Sequence, residues 1–350
     1  MSLQTPSVAW PNEQRRDHFE RWFAPLAHTH RLDAMTLRPA SADASFRRYL
    51  RVDADDGATF IVMDAPPPQE DVRPFVDIAA RIEAAGLNGP KILAADVERG
   101  FLLLNDLGQQ LYLDALSQGS AKDADALMRD AINALVRWQG HVRADGLPAY
   151  DHALLHRELQ LFPDWCVERE FAIAWSDAQR AAWSTIAERL VQQALSQPTV
   201  AVHRDWMPRN LMVAQPNPAI LDFQDAVRGP ITYDVASLLR DAFLSWDEER
   251  EIDWAARYWD AARKASLPVH ADFALFWRDL EWMGLQRHLK VLGIFCRLKH
   301  RDGKPKYAQD LPRFFAYATK VAQRYGELSP LLGLIEPMSR MPAVVAFSMR

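Results

Sequence analysis

The chain is poor in cysteine, with two in 350 residues, Cys166 and Cys296. They stand far apart and fall into no metal-binding spacing, so they read as buried free thiols in a reducing compartment. An excess of positive charge is also missing. Forty-one Lys and Arg against 46 Asp and Glu leave a formal charge of -5, and the pI is near 6.1. That excludes the basic field of a nucleic-acid binder and points to a small ligand. No uninterrupted apolar run approaches the span of a bilayer, so no membrane partner is expected. From Met1 to Trp22 the chain mixes Pro, Asn, Glu and Arg ahead of any apolar run, the wrong order for a signal peptide, and the expected location is cytoplasmic. No internal repeat or low-complexity segment appears. The length suffices for two lobes with a sizeable core.

What is present concentrates between Thr199 and Asp234. His203, Arg204, Asp205 and Asn210 spell H-R-D-x-x-x-x-N, and Asp222 with Phe223 closes a later apolar run. Val200–Val202, Leu211–Val213 and Ala219–Leu221 are short apolar segments, the last two joined through the Pro216-Asn217-Pro218 turn. A polar loop flanked by strands, with a second carboxylate at the end of the third, is the parts list of a phosphoryl-transfer site. Asp205 is the candidate base that orients an acceptor hydroxyl and takes its proton. Asn210 and Asp222 are hard oxygen donors suited to Mg²⁺ bridging the phosphates of ATP. His203 is expected to hold the loop through buried hydrogen bonds, and Arg204 with Asp234 to form an internal scaffold.

The run from Asp205 to Leu211, followed by Leu221-Asp222-Phe223-Gln224-Asp225-Ala226, Gly229-Pro230 and Asp234-Val235-Ala236, resembles the aminoglycoside phosphotransferase and choline kinase-like family. Within it, Asp43 to Tyr49 and Gln286 to Lys290 resemble the bacterial kinases that phosphorylate N-acetylmuramate and N-acetylglucosamine at the anomeric carbon in cell-wall recycling. The resemblance implies an α+β, two-lobed, protein-kinase-like fold: a small antiparallel β-sheet lobe over 1–107 and a mainly helical lobe over 108–350.

The smaller lobe is read as follows. Asn12 caps an amphipathic helix carrying Phe19, Trp22 and Phe23. Met35–Leu37, Phe46–Val52 and Thr59–Met63 are strands, the last two joined by an Asp55-Asp56-Gly57 turn. The loop from Ala40 to Ser45 takes the place of a glycine-rich phosphate loop yet contains no glycine; the Ser41 and Ser45 hydroxyls and small neighbours still permit a close approach, and Ser45 is a candidate nucleotide contact. The strand Phe60–Asp64 lacks the lysine that kinases use to hold the α- and β-phosphates. On the preceding strand Arg48 shares a pleat face with Phe46, Leu50 and Val52, whereas Arg47 and Arg51 share the other with Tyr49. Arg48, and after it Arg47, is the candidate replacement, since a planar fork suits phosphate oxygens. A surface arginine at a strand edge is the alternative. Pro74–Ala85 reads as a helix stopped by Gly86, with Asp77 and Glu83 as possible partners for that arginine. Ile92–Ala94 and Phe101–Leu104 are further strands, and Asn105-Asp106-Leu107-Gly108 resembles the family's hinge, where Asn105 and Leu107 would meet adenine through backbone groups.

Beyond the hinge, helical spacing covers Leu111–Leu116, Ala121–His141, Leu154–Trp165, Ser176–Gln197, Tyr233–Trp246, Trp246–Ala265, Asp272–Lys299 and Leu311–Tyr325, before a Pro-rich tail. Trp138, Phe162 and Trp165 read as core, and Trp206, beside the proposed base, as a wall of the acceptor pocket. Arg209 can meet an acceptor carboxylate, or be solvated. Asp225 can serve the metal, the acceptor or a structural cap. Arg287 and His288, placed within an apolar face, are acceptor-site candidates with buried ion pairing as the alternative; Gln286, Lys290 and Arg297 read as the wet face. The reading is an ATP- and Mg²⁺-dependent kinase of an amino sugar. Its rivals are a kinase of the same fold acting on an aminoglycoside, choline or a hydroxy amino acid, and a nucleotide-binding regulator without catalysis.

Overall fold

The computed structural model describes residues 8–42 and 46–339. The chain divides into two compact units: residues 1–110 with Met212–Asp225, and Leu111–Leu211 with residues 226–350.

The first unit begins with α1 (Glu13–His30), whose N-terminus is capped by the Asn12 side chain accepting the Arg15 amide at 2.8 Å. Five strands follow: β1 (Leu32–Ala42), β2 (Arg48–Ala54), β3 (Thr59–Asp64), β4 (Ile92–Asp96) and β5 (Phe101–Asn105). They form one antiparallel sheet in the order β1-β2-β3-β5-β4. The β2–β3 turn places Gly57 at φ +82°, a conformation that a residue with a Cβ resists. Period-two alternation sends Leu50 and Val52 into a core with Phe19 and Phe23 of α1, so the N-terminal helix covers that face of the sheet. Helix α2 (Arg73–Ala84) has proline in its first turn and buries Phe75, Ile78 and Ile82.

Met212–Asp225 belongs to this unit although 101 residues separate it from Gln110, counting Leu111 to Leu211. The Ile220 amide donates to the Asn88 carbonyl at 2.9 Å, the Asn88 amide side chain donates to the Pro216 carbonyl at 2.7 Å, and the Phe223 ring lies 4.7 Å from that of Phe75.

The second unit is mainly helical: α3 (Tyr112–Gln118), α4 (Ala121–His141), α5 (His152–Leu161), α6 (Asp177–Leu195), α7 (Tyr233–Leu239), α8 (Glu248–Lys264), α9 (Phe273–His300), α10 (Leu311–Arg324) and α11 (Pro330–Ser339). Ser120 and Ser176 close capping boxes at the starts of α4 and α6. The α5 pattern continues into a π-helix over Phe162–Glu170. Helix α9 packs against α5, α6, α7 and α10. It approaches so closely that a Cβ on Gly293 would lie 2.4 Å from the Leu161 backbone. A helix surrounded in this way buries its polar residues as well. Gln286 is therefore fully buried and Lys290 is ion-paired, which corrects the expectation of a wet face.

Two other expectations are corrected. Helix α7 ends at Leu239, well before Trp246, because Asp241 bends the chain by accepting the Phe243 and Leu244 amides at 2.9 and 3.0 Å. The segment after α10 is not only a tail, since Pro330–Ser339 forms α11. Cys166 and Cys296 are free and buried as neighbours, and burial pushes the Cys166 thiol up. No helix among the described residues is long and apolar enough to cross a membrane.

Candidate active site

The loop after the strand Thr199–Val202 is built around a buried carboxylate. That strand pairs antiparallel with Val227–Pro230, which leads directly into α7 and its Asp234. Asp234, fully buried, accepts the His203 amide at 2.7 Å and the Arg204 amide at 2.9 Å. Burial pushes its carboxyl up to about 7 against those two hydrogen bonds. Two amides converging on one carboxylate force a sharp turn. Arg204 accordingly sits at φ +76°, a strained conformation held by its surroundings. His203 is fully buried beside Trp138 and Trp206, with ring centroids 5.4 and 5.5 Å away. Its Nδ1 accepts the Asp205 amide at 3.2 Å.

Asp205 thus leaves the turn on a fixed backbone. The Asp205 carbonyl accepts the Met207 amide at 2.8 Å and the Asn210 side-chain nitrogen at 3.0 Å. The second bond commits the Asn210 nitrogen and leaves its oxygen to a ligand.

A cluster of cations faces Asp205 electrostatically. Glu158 of α5 receives Arg204 at 2.7 Å, Lys290 of α9 at 2.8 Å and the Tyr150 hydroxyl. Lys290 also donates to the Tyr233 hydroxyl at 3.0 Å. Burial alone would raise the Glu158 carboxyl, but Lys290 and Arg204 outweigh it and hold the group below its ordinary value. Arg204 and Lys290 in turn feel the charge of Asp205. The anticipated scaffold of Arg204 and Asp234 is present; Glu158 and Lys290, which complete it, were missed. A glutamate on an amphipathic helix and a lysine expected to be wet gave no signal in sequence.

The remaining second-unit candidates separate. Trp206 is fully buried, tilted against Trp138 at 5.9 Å. Arg209 is exposed, its guanidinium 5.1 Å from the centre of the Phe243 ring. Arg287 is buried over Tyr233 at 5.2 Å, with its charge felt by Asp234 and Asp241 and its Nε lacking a hydrogen-bond partner. His288 is stacked on Tyr317 at 4.6 Å. Burial, with Arg240 and Arg287 nearby, holds His288 well below the usual histidine range, so it packs as a neutral ring.

In the first unit, Asp222 adopts φ +58° at the end of its strand and accepts the Gln224 side chain at 2.9 Å. Asp225 is exposed. The Asn105–Gly108 stretch is staked by Arg51, which grips Asp106 at 2.5 and 3.1 Å and donates to the Gly108 carbonyl at 3.0 Å. The Asn105 side chain accepts the Lys91 amide at 2.6 Å, and Asn105 and Leu107 border an open groove of about 590 Å³ with Lys91 and Pro216. Ser45 lies outside the described residues.

Arg48 does not have the surroundings expected of a phosphate-holding group. Its Nε lies 2.6 Å from Asp64, its Nη1 donates to the Ala9 carbonyl, and its guanidinium stacks 4.4 Å over Trp10. Arg15 of α1 takes the other oxygen of the same buried Asp64. The face that carries Arg48 is the one α1 covers, and pleat alternation alone gives no sign of that cover.

Comparisons with known proteins identify the family. Residues 36–276 match the model of the phosphotransferase enzyme family. The chain belongs to this family. A protein of Pseudomonas putida named N-acetylmuramate/N-acetylglucosamine kinase is 51% identical over 94% of both chains. One of that name from Neisseria meningitidis is 44% identical over 92% of this chain and 95% of its own. Among solved structures, ADP-bound aminoglycoside phosphotransferase APH(2'')-Ib covers 86% of this chain and 98% of its own at 15% identity and a TM-score of 0.56. A choline kinase of Cryptosporidium parvum covers 90% and 99% at 10% identity and a TM-score of 0.57. The phosphotransferase fold is therefore a kinase-like one, with an antiparallel sheet followed by a mostly helical remainder. The chain is a phosphotransferase with the parts of a kinase.

Asn210 offers an amide oxygen and Asp222 a carboxylate, each a hard donor of the type that divalent cations take. No group of three or more His, Cys, Asp or Glu among the described residues is placed to hold a metal alone.

Proposed function

We propose that this phosphotransferase uses ATP to phosphorylate the anomeric hydroxyl of N-acetylmuramate and N-acetylglucosamine in the cytoplasm, as a step of cell-wall recycling. The observation that carries the reading is the 51% identity, across nearly the whole of both chains, to a protein named N-acetylmuramate/N-acetylglucosamine kinase. The site chemistry agrees. Asp205, fixed by Asp234 and His203, accepts the proton of the acceptor hydroxyl as the sugar oxygen forms its bond to the γ-phosphorus. The bond between that phosphorus and the leaving oxygen of ADP breaks in the same displacement. Asn210 and Asp222 would hold Mg²⁺, which would supply charge neutralisation at the phosphates. Hinge backbone groups at Asn105 and Leu107 pair with adenine.

Arg209 and Arg287 are the cations we assign to the acceptor, whose lactyl group in N-acetylmuramate carries a carboxylate. Trp206 stiffens the loop from within, and His288 is left to packing. A cationic antibiotic or choline would call for an acidic acceptor site, whereas the cations that feel the charge of Asp205 are Arg204 and Lys290. The test is ADP release from Mg-ATP against N-acetylmuramate, N-acetylglucosamine, glucosamine, kanamycin and choline. Turnover on the first two, with phosphorus coupled to the anomeric carbon of the product by NMR, is expected. Turnover confined to a cationic acceptor would overturn the substrate assignment, and silence on all five with ATP still bound would overturn the kinase reading.

A further inference from the structure

Among the described residues three glutamines are buried, Gln139, Gln197 and Gln286, and two of them are provided for. Gln139 donates to the Ile231 carbonyl at 3.0 Å and accepts the Tyr258 hydroxyl. Gln197 donates to the Asp279 carbonyl at 3.4 Å and accepts the Thr232 hydroxyl at 2.6 Å. Gln286 of α9 is the most deeply buried of the three, at 0% exposure, yet neither its Nε2 nor its Oε1 has a hydrogen-bond partner. Buried amides are nearly always paired, so an amide with both ends unpaired calls for a ligand or a role.

Its place in the fold says which. Gln286 stands four residues before Lys290, so the two share one stripe of α9, about 6 Å apart along its axis. Lys290 binds Glu158 at 2.8 Å and the Tyr233 hydroxyl at 3.0 Å, keeps 12% of its side chain exposed, and feels the charge of Asp205. The stripe therefore leads from the surroundings of the candidate base to Gln286. Unpartnered donors gather along it and across from it. The Nε of Arg287 is one, and the Nε of Arg204 and the Nε1 of Trp206, on either side of Asp205 in the chain, are two more.

We infer that Gln286 recognises the acetamido group of the acceptor sugar and sets the specificity for N-acetylated substrates. Its Nε2 donates to the acetamido carbonyl oxygen and its Oε1 accepts a ring hydroxyl, which uses both ends of the side chain. The three torsions of glutamine let the amide turn along the stripe toward Lys290, where side-chain exposure begins. An uncharged amide in a buried position suits an uncharged acetamido group. The ammonium of glucosamine would need an anion there, and Glu158, the carboxylate that this stripe reaches, is already bound by both Arg204 and Lys290. The assignment rests on the amino-sugar kinase activity proposed above, and its test separates the two.

Steady-state turnover of N-acetylglucosamine, N-acetylmuramate and glucosamine, and the melting temperature without sugar, are measured on the full chain and on Gln286→Met and Gln286→Leu. Both substitutions keep much of the side-chain volume and remove its polar atoms. The KM for each N-acetylated sugar is expected to rise by about fivefold to a hundredfold, the weight of two hydrogen bonds between neutral groups. The KM for ATP and kcat should stay within about twofold, since the lost binding is common to ground and transition states. Turnover of glucosamine, which lacks the acetyl group, should be as in the wild type. The melting temperature should equal or exceed the wild type's, because an unpartnered buried amide has been removed. An unchanged KM for both N-acetylated sugars overturns the assignment. So does a lowered melting temperature with the KM values for ATP and sugar disturbed together, which would make Gln286 a packing residue. A wild type that turns over neither N-acetylated sugar overturns the proposed function, and the assignment with it.

Discussion

Asp205 depends on residues that do no chemistry. Asp234 gathers two amides, Arg204 accepts a strained φ, and His203 holds the next amide, so the carboxylate is presented by a loop with little freedom. Replacing Asp205 by Asn keeps the size and the backbone contacts and removes only the proton acceptor. ATP affinity should stay within about twofold, while turnover on N-acetylmuramate falls by about 10²- to 10⁴-fold, the usual weight of a general base. Turnover within tenfold of the wild type, measured as ADP release, would rule out that role. The residues of this loop were legible because chemistry dictates both their types and their spacing. The two adjacent arginines were not. Arg47 and Arg48 differ in sequence by one position, and what separates them is α1 lying over the Arg48 face, a tertiary fact with no local signature.

Among the elements, α5 and α9 meet through Glu158 and Lys290, with Arg204 joining from the motif loop. The folded-state pKa of Glu158 is held below the ordinary 4.5 by its two cations, once burial has been outweighed. A carboxylate with a depressed pKa binds its proton less readily when folded. Its stabilisation is therefore fully present above the unfolded value and is lost as pH falls through the folded one. Glu158→Gln removes this titration but leaves Lys290 and Arg204 without their anion. The variant should be less stable at pH 7 by about 3–5 kcal/mol, the cost of breaking a buried pair, and its stability should fall less steeply than the wild type's below pH 4.5. Urea midpoints taken at intervals from pH 7 to pH 3 check both parts. Parallel acid limbs would exclude Glu158 as the titrating group. Helix positions were readable to within a few residues wherever caps or periodicity marked them, as at Asn12, Ser120 and Ser176. The faces of α9 were not. A helix packed on neighbours all round has no consistently wet side, and a lysine neutralised by a distant glutamate looks like a solvated one.

At the scale of the molecule, chain order and unit membership disagree. A sequence reading naturally divides the chain at the hinge, yet Met212–Asp225 is packed with residues 1–110. The segment adds more than a strand end. Its Phe223 lies against Phe75 on the buried face of α2, and Asn88, just after that helix, exchanges hydrogen bonds with Ile220 and Pro216. Without it, the α2 face loses an aromatic partner, and the carbonyl and side chain of Asn88 lose theirs. Exposing one large apolar side chain costs about 1.5–3 kcal/mol, and an orphaned hydrogen-bonding group about 1–3 kcal/mol if it stays out of water. Those sums are a large fraction of the stability expected for a small unit. A fragment of residues 1–110 should therefore melt over a broad range, with amide exchange in α2 far faster than in the full chain. Adding a peptide of residues 212–225 in trans should sharpen the transition and slow that exchange. If the fragment alone melts as sharply as it does with the peptide, and α2 is equally protected in both, the segment is only a passenger on the sheet unit. In that case Asp222 is positioned by the chain on either side of it, and the packing of Phe223 contributes little.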